Sequence, residues 1–357
     1  MVNFKDANIV KERLSRQMLK KRGVHAIGVG LHNPKQPRKG AAIIVYTGAV
    51  TATTLNRLGI KKKATIRSRG KKVSVPIRVL VTPKFQAHAY KARQQFTRRI
   101  RPVQAGYSVG TPQVSGTAGL IVAGSGESRY LLSNNHVLNQ NNTSGYSETI
   151  QPGGADDGRA RVDRIGQLSR FVRLKKKGTN LLDAAISVPI RRSILSPRYA
   201  IFGALPGHVN TYKVGDKFKK VGRTTGLTQG TVESVNTDIQ VDYGDYGNLG
   251  IVNFKNQTVV RGEKPVSLSG DSGSVWLTNR GNFAAAVNYA GSADGKLSIS
   301  FPVQWAMQAF GIRVAKPGSA SGRVKTRKIR GDKQRYALPL TAKELGKVRV
   351  VKASSRK

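Results

Sequence analysis

Residues 267–274, Ser267-Leu268-Ser269-Gly270-Asp271-Ser272-Gly273-Ser274, run directly into the apolar stretch Val275-Trp276-Leu277-Thr278. A serine hydroxyl is a poor nucleophile near neutral pH. It needs a base to take its proton and amides to hold the developing oxyanion. Glycines on both sides of Ser272 let the backbone turn tightly enough to aim N–H groups at one oxygen. Taken alone, the motif would occasionally be an ordinary turn in a chain with 39 glycines.

Outward from it, about 117–314 is built of short runs rich in Val, Ile and aromatics, separated by Gly, Asn, Asp and Pro. That spacing predicts a mainly β sandwich or barrel. Two of its runs carry further polar residues. Leu131-Leu132-Ser133-Asn134-Asn135-His136-Val137-Leu138 ends an apolar strand in a turn with a histidine. Leu181-Leu182-Asp183-Ala184-Ala185-Ile186 sets an aspartate inside an apolar run. Burying that carboxylate is costly without a hydrogen-bond partner, and an imidazole N–H is a suitable one. Separately, His136 reads as a satisfied structural histidine and Asp183 as a loop cap. Asp163, in the polar stretch ARVDR, is the rival acid, while His25, His32, His88 and His208 read as surface residues. The order decides: His136, then Asp183 47 residues on, then Ser272 89 residues further. Serine hydrolases of other folds order their triads Ser-Asp-His or Asp-His-Ser.

On these residues the chain resembles a trypsin-like (chymotrypsin-fold) serine peptidase. More narrowly it is similar to bacterial relatives of the plant narrow-leaf serine proteases, through YLLSNNHVL, LLDAAI, KKVGRTTGLTQGTV at 219–232 and SLSGDSGS. HAIGVGL and AAIIVY extend the likeness over about 24–312. The resemblance implies two six-stranded β-barrels with the active site between them. It gives His136 the role of general base and acid, Asp183 that of orienter and Ser272 that of nucleophile. The N–H groups of Gly270 and Ser272 would form the oxyanion hole. Asn288, Tyr289 and Ala290 would lie beside an extended substrate. Val266 stands six before the nucleophile, where trypsin carries an aspartate, so a small or apolar P1 residue is expected. Asp271 stands where digestive trypsins pair an aspartate with a freshly cut N-terminus; here it needs another partner, or the enzyme is a zymogen. No cofactor or metal is implied, and Asp242 and Asp245 read as turn residues.

Composition frames the rest. Hydrophobic residues are 38% of 357, enough for a sizeable core, and there is no cysteine for a disulfide or thiolate site. The chain carries 62 Lys and Arg against 18 Asp and Glu, a formal charge of +44. Such a protein attracts polyanions whatever its fold. The charge is uneven: from Met1 to Gly126 the only acids are Asp6 and Glu12, and from Arg313 onward 15 basic residues face Asp332 and Glu344. These shifts predict a basic amphipathic helix in 1–23 and a small α+β module over 24–84. A linker over 85–112, a two-barrel protease domain over 113–314 and a basic, flexible tail over 315–357 complete the division. Nucleic acid or another polyanion is the expected partner of the N-terminal region and tail, beside a protein or peptide substrate. No apolar run suits a signal peptide or membrane span, which points to the cytoplasm. The leading function is a serine endopeptidase. The alternatives are a catalytically silent nucleic-acid-binding or scaffold protein, and a protease acting mainly on itself.

Overall fold

The computed structural model describes residues 2–68, 71–86, 95–126, 128–318 and 321–355. Two β layers carry the polar motifs. In the second, Lys217–Gly222, Gly226–Asp242, Ile251–Arg261, Leu297–Pro302, Ala284–Ser292 and Val275–Thr278 pair in succession, and the last pairs back to the first. That ring is a closed barrel. The first layer is a nine-stranded sheet holding Ser108–Thr111, Val114–Thr117, Leu120–Ala123, Arg129–Ser133, Arg164–Val172 and Ala185–Pro189. Glu148–Ile150 is a seventh strand of this sheet, and Arg313–Val314 and Val350–Lys352 add themselves as the eighth and ninth. The fold is mainly β, as the short strand signals predict. Between the layers lies an apolar core that includes Leu132, Ile186, Val221, Val275 and Tyr289.

The N-terminal helix Phe4–Met18 forms where expected. Asn3 caps it, accepting the Asp6 N–H at 2.7 Å, and Phe4, Ala7, Val10 and Met18 are buried along one face. Lys11 on that face is fully buried and reaches Asp238 at 3.1 Å. The 24–84 stretch has the expected α+β content, with strands Val24–Leu31 and Ala41–Thr47 and a short helix Ala52–Arg57. It is not a separate module, because Val24–Leu31 pairs antiparallel with Gly226–Asp242 and so continues the second barrel's sheet. An outward strand edge with unpaired amides accepts such an addition without any local sequence signal.

Two further expectations are corrected. The 85–112 stretch supplies strands Phe85–Gln86, Val103–Ala105 and Ser108–Thr111 instead of a linker, with Phe85, Phe96 and Tyr107 buried. Residues 87–94 of that stretch, His88 among them, lie outside the described residues. The described residues of the 315–357 tail are strapped over the body instead of flexible. Arg323–Lys325 pairs with Gly207–Val209, Tyr336–Ala337 with Tyr212–Lys213, and Val350–Lys352 with Arg164–Val172. Tyr336 and Leu340 are buried, and Trp305 Nε1 donates to Leu338 O at 2.7 Å. The tail is ordered by backbone pairing with distant edges, which its own low hydrophobicity does not announce.

Candidate active site

The Ser272 turn is shaped by its glycines. Gly270 and Gly273 sit at φ +94° and +92°. A Cβ on Gly270 would run into Arg223 and Thr224, and one on Gly273 into Ser133 and the Thr117 carbonyl. The first sheet grips the turn directly: Thr117 N donates to Ser272 O at 2.7 Å and Thr117 Oγ1 to Gly270 O at 2.9 Å. Among the described residues neither the Gly270 nor the Ser272 N–H donates to a protein acceptor.

Asp271 is fully buried and accepts three backbone N–H groups, from Thr224 at 3.0 Å, Thr225 at 3.1 Å and Leu268 at 2.9 Å. The buried Lys220 ammonium stands 3.7 Å from its other side. Burial pulls Lys220 below the usual lysine range while Asp271 opposes the shift. Asp271 therefore has an internal cation, and no cut N-terminus is required to supply one. Sequence reading missed Arg223, equally buried, which grips Asp156 bidentately at 2.7 and 2.9 Å across the two layers. The signal was present in VGRTTG, as a basic residue followed by a threonine, Thr224, whose hydroxyl accepts from its guanidinium at 2.8 Å.

His136 stands on the short helix Asn135–Leu138 that ends the strand Arg129–Ser133. Its Nδ1 lies 2.5 Å from Asp183 Oδ2. Asp183 has no exposed surface, and its Oδ1 accepts the Asn135 N–H at 2.6 Å and the His136 N–H at 3.3 Å. Tyr243 donates its hydroxyl to Oδ2 at 2.7 Å. Four donors on one carboxylate offset much of the cost of burying its charge. The imidazole's far nitrogen, Nε2, is buried without a protein partner. Ser272 Oγ donates instead to Tyr289 O at 3.3 Å, so the serine–histidine hydrogen bond is not made in this conformation.

Beside Ser272 opens a cavity of about 450 Å³ lined by Gln86, Ser267, Leu268, Ser269, Ala290, Gly291, Ser292 and Ala293. Val266 is not among its walls. It is buried in a separate apolar cluster with Phe218, Val260 and Trp276. Asn288 is also withdrawn: its Nδ2 donates to Asp271 O at 3.0 Å and its Oδ1 accepts from Ser298 Oγ at 2.6 Å. Its backbone N–H and carbonyl are taken by Ser274 and Gly273. Tyr289 contributes its carbonyl and Ala290 a wall, and the edge that accepts another strand begins further on, at Gly291–Ser292. Asp163 is buried as well, but among Arg99 at 2.8 Å and the Arg159 N–H at 2.9 Å. His208, expected at the surface, is buried against Gln304 at 2.8 Å.

No family model matches the chain, and no curated protein matches it. Solved structures of bacterial chymotrypsin-fold serine proteases do. One, described as a glutamic-acid-specific serine protease that uses a histidine triad in substrate binding, is 23% identical, with 60% of this chain covering 100% of that one at TM-score 0.44. Thermobifida fusca protease A is 18% identical over 60% and 98% of the two chains, at TM-score 0.43. Nocardiopsis protease is 18% identical over 60% and 99%, also at 0.43. No helix among the described residues is long and apolar enough to cross a membrane.

Proposed function

We propose that the chain is a serine endopeptidase in which Ser272 attacks, His136 carries the proton and Asp183 orients it. The observation that carries this reading is the buried 2.5 Å contact of His136 Nδ1 with Asp183 Oδ2, which leaves Nε2 free for a reacting serine. As Ser272 Oγ bonds to the scissile carbonyl carbon, His136 Nε2 accepts its proton. The oxyanion then takes the N–H groups of Gly270 and Ser272. Collapse expels the amine with the proton from His136, and water repeats the sequence to free the acid. The Ser272–His136 hydrogen bond closes in the substrate complex, as catalytic hydrogen bonds commonly do. The cavity's uncharged walls favour an uncharged side chain at P1. Labelling by a fluorophosphonate probe tests the reading. A wild-type chain modified at Ser272, beside an inert Ser272→Ala chain, supports it. An unlabelled wild type favours the silent scaffold.

A specific observation also favours action on its own chain. Phe85–Gln86 lies antiparallel on the edge of Ala284–Ser292, with Phe85 opposite Ser292 and Gln86 opposite Gly291. The segment therefore runs toward Ser272, and Gln86 lines the same cavity. This is how an extended peptide adds a strand to a binding edge. The chain's own N-terminal part is then its first ligand and first substrate. Intact-mass measurement of the purified protein decides the matter. Shortening in wild type but not in Ser272→Ala supports self-processing, and two equal masses from a chain that cleaves added peptide refute it.

A further inference from the structure

Resting on the triad reading above, we infer that Tyr243 is a positioning residue, holding Asp183 from the second barrel while His136 meets the same carboxylate from the first. Tyr243 lies just beyond the strand Gly226–Asp242, whose partner Ile251–Arg261 returns beside it. Its hydroxyl reaches Asp183 Oδ2 at 2.7 Å, the oxygen that faces His136 Nδ1. Its ring stands edge-on to the imidazole, with centroids 5.6 Å apart at 81°. The placement is fixed from behind: Tyr243 stacks on Phe254 at 6.1 Å and 25°, and its N–H donates to Gly250 O at 2.9 Å. A phenylalanine would fill the same apolar space. The hydroxyl is what addresses the carboxylate.

The titratable groups facing Asp183 are His136, Tyr243, Tyr246 and Tyr289. Burial, and then the charge of Asp183, pushes the Tyr243 phenol well above its ordinary value, so it remains a proton donor throughout the neutral range. A donor on Oδ2 draws negative charge away from the atom that would steady an imidazolium. It also adds a restraint on the carboxylate plane, and through it on the imidazole. Without the hydroxyl, Oδ2 holds the protonated imidazole more strongly, and His136 serves as a base only at higher pH.

The test compares the full-length wild type with Tyr243→Phe in hydrolysis of a short neutral peptide ester across pH. The acid limb of kcat/KM should move up by about 0.5–1 pH unit, one hydrogen bond's share at a carboxylate. Looser positioning should lower kcat about tenfold with KM within about twofold. Placing 3-fluorotyrosine at position 243 gives a more acidic phenol and a stronger donor, and should move the limb down. A folded Tyr243→Phe chain with the wild-type limb and kcat overturns the inference while leaving the triad intact. Where that variant does not fold, an unmoved limb in the fluorotyrosine chain overturns it instead. A wild type that leaves the fluorophosphonate probe unreacted overturns the triad reading first, and this inference with it.

Discussion

At the scale of single residues, the candidate site divides into groups that would react and groups that hold them. Asp183 belongs to the second kind, spending both oxygens on Asn135, His136 and Tyr243. Replacing it by asparagine keeps the shape but puts an N–H or an amide oxygen where Oδ2 stood. The imidazole then takes the tautomer that cannot accept the serine proton. Asp183→Asn should lower kcat about 10⁴-fold, the handicap found for the same change in a well-studied serine protease. Near-wild-type turnover in a peptide assay would exclude Asp183 from the mechanism. His136, Asp183 and Ser272 were legible from sequence because each breaks a local rule: a charge in an apolar run, a nucleophile between glycines, a histidine closing a strand. Tyr243 breaks none. It is an aromatic residue in a turn-rich stretch, and only the hairpin's long-range register brings it to Asp183.

At the scale of elements, the Ser272 turn depends on a buried cation that its own segment does not contain. Lys220, on Lys217–Gly222, is fully buried beside Asp271. Lys220→Met should leave a buried carboxylate with amides alone, at a cost on the order of 3 kcal/mol. Urea unfolding would register it as a lower midpoint, and turnover should fall as Asp271 relaxes and the turn loosens. An unchanged midpoint would mean the three amides suffice. The same contrast explains which elements could be read in advance. The amphipathic helix Phe4–Met18 and the longer barrel strands declare themselves through periodicity within a few residues. The strands Phe85–Gln86, Tyr336–Ala337 and Val350–Lys352 are two or three residues long and exist because a distant edge pairs with them. Deleting 321–357 tests that dependence. It strips the cover from Trp305 and removes buried Tyr336 and Leu340, each worth about 1.5–3 kcal/mol. The midpoint of thermal unfolding should fall by at least roughly 5 °C, since each kcal/mol moves a domain of this size by about 2–4 °C. A loose tail would leave it where it was.

At the scale of the whole molecule, part of the formal charge of +44 stands in exposed basic clusters of the described residues. Lys61, Lys62 and Lys63 follow the second helix, Lys175, Lys176 and Lys177 form an exposed loop, and Arg323, Lys325, Lys328 and Arg330 line the strapped tail. None of them lies in the strands that flank His136, Asp183 or Ser272, and none lines the cavity beside Ser272. A field of this size, held on a rigid body, should collect phosphates without regard to sequence. Duplex DNA binding by Ser272→Ala, used so that the protein stays whole, should weaken steeply with salt. Its slope of log K against log salt should be about −0.9 for each phosphate neutralised. Lys175, Lys176 and Lys177 changed together to glutamine should flatten that slope if the loop lies on the contacted face. Hydrolysis of a short neutral peptide by the same triple variant in the wild-type background should be unaltered, because the loop is remote from the Ser272 turn in sequence and joins a separate cavity wall. Absence of binding at about 50 mM salt, where phosphate contacts are strong, would assign the charge to solubility.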